Sequence, residues 1–210
     1  MYTLYGKKGS GSASVQTALE IIGAPYRIIE TASWEPNEAF QDLLKLNPIG
    51  QIPTLVLPDG TALSESAAIL IHLATLHPNS RLLPEHSIAR AQSIRGLVFI
   101  AANCYPAITI IDFPERFCEN PDEQMQARIR AGTRARLHKH WEIFADVFEA
   151  GPFLNGENIG ALDLYAAVVS KWSGSRQYLQ QTRASFHDTL MRIDAHAKVA
   201  PVFAQHWPAK

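Results

Sequence analysis

Two short stretches of this chain could do chemistry together. The first is Gln51-Ile52-Pro53, just before the apolar run TLVL. An X-Pro bond has a cis form only about 0.5–1 kcal/mol above trans, and a cis bond at Ile52-Pro53 would turn the chain sharply. The Ile52 amide and carbonyl would then point out of a sheet edge. They could pair with an extended peptide-like ligand, as an added strand does. An ordinary loop proline is the plain alternative. The second stretch is Ser64-Glu65-Ser66, between a strand and an apolar helix, where an N-cap belongs. Capping alone would explain it. The same geometry also offers free amides and the positive end of a helix dipole, which suit a carboxylate. The Ser66 amide and hydroxyl would hold that carboxylate, and Glu65 would hold a neighbouring ammonium. The two stretches together describe a small peptide with a γ-glutamyl end, such as glutathione.

The elements around these stretches must position them. Residues 2–6 read as a strand, and 12–23 as a helix with Val15, Leu19 and Ile22 on one face and Gly23 as its C-cap. A strand at 26–30 and a weaker helix over about 36–46 follow. Strands at 54–57 and 61–64 flank the turn PDG, a hairpin signal. A helix over 65–77 stops at Pro78. The order βαβαββα makes one small mixed sheet with helices packed on it. Beyond the polar linker PNSRLLPE the pattern is helical to the end. The clearest stripe is Met125, Ile129, Leu137, Trp141, Phe144 and Phe148. A last helix is expected over about 184–199. The reading divides the chain into an α/β domain, 1–79, and an all-α domain, 86–210.

Composition excludes several classes. The 210 residues suit one or two domains, and 47% hydrophobic with 19% charged residues is ordinary for a soluble globular protein. Nineteen Lys+Arg against twenty Asp+Glu give a net charge of −1, which argues against nucleic-acid binding by bulk charge. The basic run at 128–140 reads as a solvated or subunit-facing helix side. Cys104 and Cys118 form no CxxC pair, and the eight histidines show no HxxxH spacing, so no metal site is expected. The apolar stretch from Gly96 to Ile111 falls short of the roughly 18 residues of a membrane span. With no signal-peptide pattern either, the reading is cytoplasmic, with reduced thiols and no membrane partner.

The run NPIGQIPTL followed by ESAAI resembles the glutathione site of the cytosolic glutathione transferase family, bacterial type, nearest the beta class. The likeness spans nearly the whole chain. It implies a thioredoxin-like first domain, an all-helical second domain and a homodimer. It also implies glutathione as co-substrate on Gln51, Ile52, Pro53, Glu65 and Ser66. GENIGALDLYAA at 156–167 resembles the family's capping box, with Asp163 structural. Gly160 stands where the family has Ser or Thr, so half of that box is missing.

A thiol of pKa about 8.5 needs a hydroxyl donor or a helix N-terminus to ionise at neutral pH. The resemblance implies a serine at Gly9 or a cysteine at Gly11, and both positions are glycine here. Ser12, at the helix start, and Ser10 are the candidate catalytic hydroxyls, with Tyr5 a weaker one. FIAANCYPAITIIDF resembles the beta-class helix that carries a histidine near the sulfur, and Tyr105 takes its place. Asn103, Tyr105 and Phe113 are candidates to line the pocket for a hydrophobic electrophile. Arg116 is a further one. A buried tyrosine beside a proline kink is the plain alternative for Tyr105. Glutathione-dependent disulfide or peroxide reduction and a non-catalytic interaction protein remain the competing functions.

Overall fold

The computed structural model describes residues 1–35, 37–148 and 151–208. The first strand, β1 (Tyr2–Gly6), is buried along its whole length. Such a strand needs neighbours on both edges. β2 (Tyr26–Glu30) runs parallel to it, with Tyr2 opposite Tyr26. The crossover between them is α1 (Ser12–Ile22), ended by Gly23 as its spacing predicts. α2 (Glu38–Leu46) starts at Asn37, whose side chain accepts the Phe40 amide at 2.9 Å. β3 (Thr54–Val56) returns antiparallel on the other edge of β1, and β4 (Ala62–Leu63) pairs with it. α3 (Ser66–Leu76) closes the unit. The sheet order is β2-β1-β3-β4, a thioredoxin-like arrangement. The predicted order βαβαββα is observed.

Tyr5 pairs with Thr54. The loop after β1 and the loop before β3 therefore leave the sheet at the same end. β3 and β4 pair Leu55 with Leu63. Ile52-Pro53, before β3, and Glu65-Ser66, after β4, therefore leave the hairpin at the same end. One end of the sheet thus gathers every N-terminal candidate residue.

The rest is helical: α4 (Ser87–Phe99), α5 (Tyr105–Asp112), α6 (Glu123–Phe148), α7 (Ala161–Val169), α8 (Ser175–Thr182), α9 (Ala184–Asp194) and α10 (Ala200–His206). Of the expected stripe on α6, Leu137, Trp141, Phe144 and Phe148 are buried, whereas Met125 is exposed and Ile129 only partly covered. The first turns of that helix extend past the core. The helix expected over about 184–199 is α9, which ends at Asp194, and a further short helix, α10, follows a break at 195–199.

α4 and α5 are one continuous helix joined by a π turn at Ile100–Cys104. Pro106 has no N–H to donate, and the wide turn before it absorbs that loss. The helix Ser87–Asp112 is therefore 26 residues, longer than the apolar stretch suggests. By length and composition it could cross a membrane, its most apolar 18 residues having a mean hydropathy of 1.6. It packs instead on α6 and α7.

Candidate functional site

Asn47 builds the loop before β3. Its Nδ2 donates to the Gln51 carbonyl at 3.1 Å and to Thr54 Oγ1 at 3.1 Å, while its Oδ1 accepts the Ile49 amide. Thr54 Oγ1 also donates to the Gln51 carbonyl, at 2.9 Å. Asn47 is buried, so these bonds hold the loop against a packed floor. The loop ends in a cis Ile52-Pro53 peptide. Among the described residues, neither the amide nor the carbonyl of Ile52 bonds to the rest of the backbone. Asn47 does not stand out in the run NPIGQIPTL, because its side chain bonds across a turn that spacing alone does not reveal.

At the start of α3, Glu65 takes φ 67° and ψ 107°, a left-handed backbone in a residue with a side chain. Such residues cluster at binding sites, where surrounding structure holds them. Glu65 itself is exposed. Ser66 is only 4% exposed, and its hydroxyl has no hydrogen-bond partner among the described residues. A buried orphan hydroxyl costs free energy unless something else satisfies it. It sits beside the free amides of the first helical turn. An anion is the group that would use both.

The loop between β1 and α1 is tightly closed. Ser10 Oγ donates to the Lys7 carbonyl at 2.7 Å and lies 2.8 Å from Ser12 Oγ. Ser12 Oγ also reaches the Lys7 carbonyl, at 3.2 Å. Both serines are buried, and a Cβ on Gly6 would lie 2.4 Å from that of Ser12. The two hydroxyls are thus turned inward, onto their own loop. Tyr5 is buried within β1. Gly9, at φ 72°, adopts a backbone that a serine there would strain. Its amide donates to Nδ1 of His206 on α10 at 3.1 Å. The other ring nitrogen, Nε2, lies 2.8 Å from Gln16 Oε1. Since Nδ1 must accept and Nε2 must donate, this imidazole is neutral.

Burial, and then the Lys8 cation, lower the His206 pKa. The unfolded histidine takes up its proton first as pH falls. The stability carried by this anchor is therefore complete above the ordinary histidine value of about 6.5 and is lost below it. Thermal midpoints recorded against pH should fall through that range in the native chain and flatten in His206→Gln.

Tyr105 projects from the π turn to the start of α1. Its ring stacks on Trp172 at 5.5 Å and tilts against Tyr165 at 6.1 Å. Asn103 turns back on its own helix, donating to the Phe99 carbonyl at 3.1 Å. Phe113 follows the far end of α5, about 12 Å along the axis from Tyr105, with the Arg116 guanidinium 4.1 Å over its ring. The structure thus brings Gln51, Ile52, Pro53, Glu65, Ser66, Ser10, Ser12 and Tyr105 to one end of the sheet, and holds Phe113 apart. Spacing did not single out Trp172, in the turn between α7 and α8, or His206, at the end of α10, which reach this end of the sheet from far along the chain.

Residues 12–76 match the family model "Glutathione S-transferase, N-terminal domain". The uncharacterized GST-like protein YncG of Escherichia coli (strain K12) is 30% identical over 86% of this chain and 86% of its own length. The chain belongs to the glutathione S-transferase family. Glutathione S-transferase GstA of Escherichia coli O157:H7 is 27% identical, covering 81% of each chain. A solved glutathione transferase homolog from Sulfitobacter, with bound glutathione, shares the fold at a TM-score of 0.83. It is 24% identical, over 96% of each chain. Among the described residues no cluster of His, Cys, Asp or Glu could hold a metal ion.

Proposed function

We propose that this transferase-family chain binds glutathione and directs its sulfur at hydrophobic electrophiles. The observation that carries the reading is the orphan Ser66 hydroxyl beside the left-handed Glu65, across the hairpin from the unpaired Ile52 backbone. The γ-glutamyl carboxylate takes the Ser66 hydroxyl and the first amides of α3. The ammonium takes the Glu65 carboxylate. The cysteinyl backbone pairs with Ile52 as a short added strand. This pose directs the sulfur toward the loop after β1 and the N-terminus of α1. A thiolate is favoured there by the helix dipole. It attacks the electrophile, and the leaving group departs with the bonding electron pair. Ser10 and Ser12 keep the loop closed beneath it, and the Tyr105–Trp172 stack offers an apolar wall. The same reading takes the chain as a homodimer in the cytoplasm, where its two free cysteines stay reduced.

Calorimetric titration with glutathione should saturate at millimolar concentration or below, and a model aryl halide should turn over faster than a model disulfide. Failure to bind would overturn the reading. Faster disulfide turnover would favour the reductase. Tight binding without rate enhancement would favour an interaction protein.

A further inference from the structure

Gly11 poses a question that its backbone does not answer. Its φ of −59° and ψ of −18° are ordinary helical values, open to any residue. Space is what requires glycine. A Cβ built there would lie 2.2 Å from the Tyr105 hydroxyl and 3.2 Å from its Cζ. The tyrosine hydroxyl fills the volume that a side chain at position 11 would occupy, at the first turn of α1.

We propose that the Tyr105 hydroxyl is the donor that meets the glutathione sulfur, entering from the helical half of the molecule in place of a side chain at position 11. The proposal rests on the glutathione reading above. Four observations support it. The loop serines are unsuited, because both hydroxyls are directed at the Lys7 carbonyl. The Tyr105 proton is committed to no acceptor among the described residues, while the Gly11 amide is directed at its oxygen. That polarisation strengthens an O–H donor. The ring is held on both sides, by Trp172 and Tyr165. Finally, Tyr105 opens α5 straight after the π turn that Pro106 imposes, a local widening often found at functional sites. Burial, with the Glu65 charge adding to it, pushes the phenol up to about 12. It therefore keeps its proton at neutral pH and donates it in a hydrogen bond without transferring it. The thiol proton leaves to solvent, and the thiolate keeps the Tyr105 O–H as a partner.

The test is the ultraviolet thiolate band of bound glutathione, recorded from about pH 5 to pH 9, with binding measured in parallel. In the native protein the bound thiol should ionise below its free value of about 8.5. Tyr105→Phe should leave glutathione affinity within about threefold. It should raise the bound thiol pKa by about one to two units, the worth of one hydrogen bond to a charged group. Turnover of an aryl halide at neutral pH should drop about 10- to 100-fold and recover as pH rises. Gly11→Ala, which pushes away the hydroxyl together with the ring that carries it, should shift the thiol in the same direction. The paired change Gly11→Ser with Tyr105→Phe puts a hydroxyl back into the vacated volume and should restore part of the shift. The proposal is overturned if Tyr105→Phe leaves the bound thiol pKa unchanged, or if Ser12→Ala alone reproduces the shift. Bound glutathione with an unshifted thiol in the native protein would overturn it while leaving the binding reading intact. Absence of binding would overturn both.

Discussion

Asp163→Ala is expected to cost about 3 kcal/mol or more of stability, a large share of the roughly 5–15 kcal/mol that holds a domain. The carboxylate is fully buried and accepts three backbone amides: Leu154 at 2.7 Å, Gly160 at 2.9 Å and Asn155 at 3.2 Å. Without it three donors lose their acceptor inside the fold, at roughly 1 kcal/mol or more each. The damage would spread. The Ala161 amide at the start of α7 donates to the Leu82 carbonyl at 2.7 Å, so this helix end also fixes the linker between the two halves. Asp163→Asn keeps one acceptor oxygen and should fall between the native chain and the alanine variant. Urea midpoints would measure the series, and an alanine variant within about 0.5 kcal/mol of native would refute the argument.

Ser66→Ala should move stability and binding in opposite directions. In the free chain the hydroxyl is buried without a partner, so its removal is expected to stabilise by up to about 1 kcal/mol. With glutathione the same hydroxyl gains a carboxylate. Its loss should then weaken binding about 10- to 100-fold. Glu65→Gly should act in the same sense, since glycine accepts φ 67° without strain and offers the ammonium nothing. Melting curves and titrations on both variants test the pair. A loss of stability in the free Ser66→Ala chain would show that the hydroxyl has a structural partner after all.

The sheet and the binding end of it are legible because their signals are local. The hairpin turn, the Ser64-Glu65-Ser66 cap and the Ile52-Pro53 turn each span a few residues, and the antiparallel hairpin carries the last two to one end of the sheet. The side built from α1, Tyr105 and Trp172 is not legible, because its contacts join residues far apart in the chain. Two glycines illustrate the difference. Read along the sequence, Gly11 and Gly160 are positions where an expected side chain is missing. In the fold, each is a position where another side chain already stands. Tyr105 fills the first space, and Asn155 fills the second, with its side chain 2.4 Å from where a Cβ on Gly160 would lie. Asn155 is itself held by a bond to the Arg81 carbonyl at 3.0 Å. Gly160 therefore leaves only the Asp163 half of the capping box. α10 is not legible for another reason: it is two turns long, with Pro201 in its first turn.

The bond between the Gly9 amide and His206 has a consequence for how the protein is made. The acceptor is translated 197 residues after the donor. A sheet that folds as it leaves the ribosome therefore carries an unfinished loop until α10 arrives. The nascent chain is thus unable to hold a fully shaped loop after β1, however early its first half becomes compact.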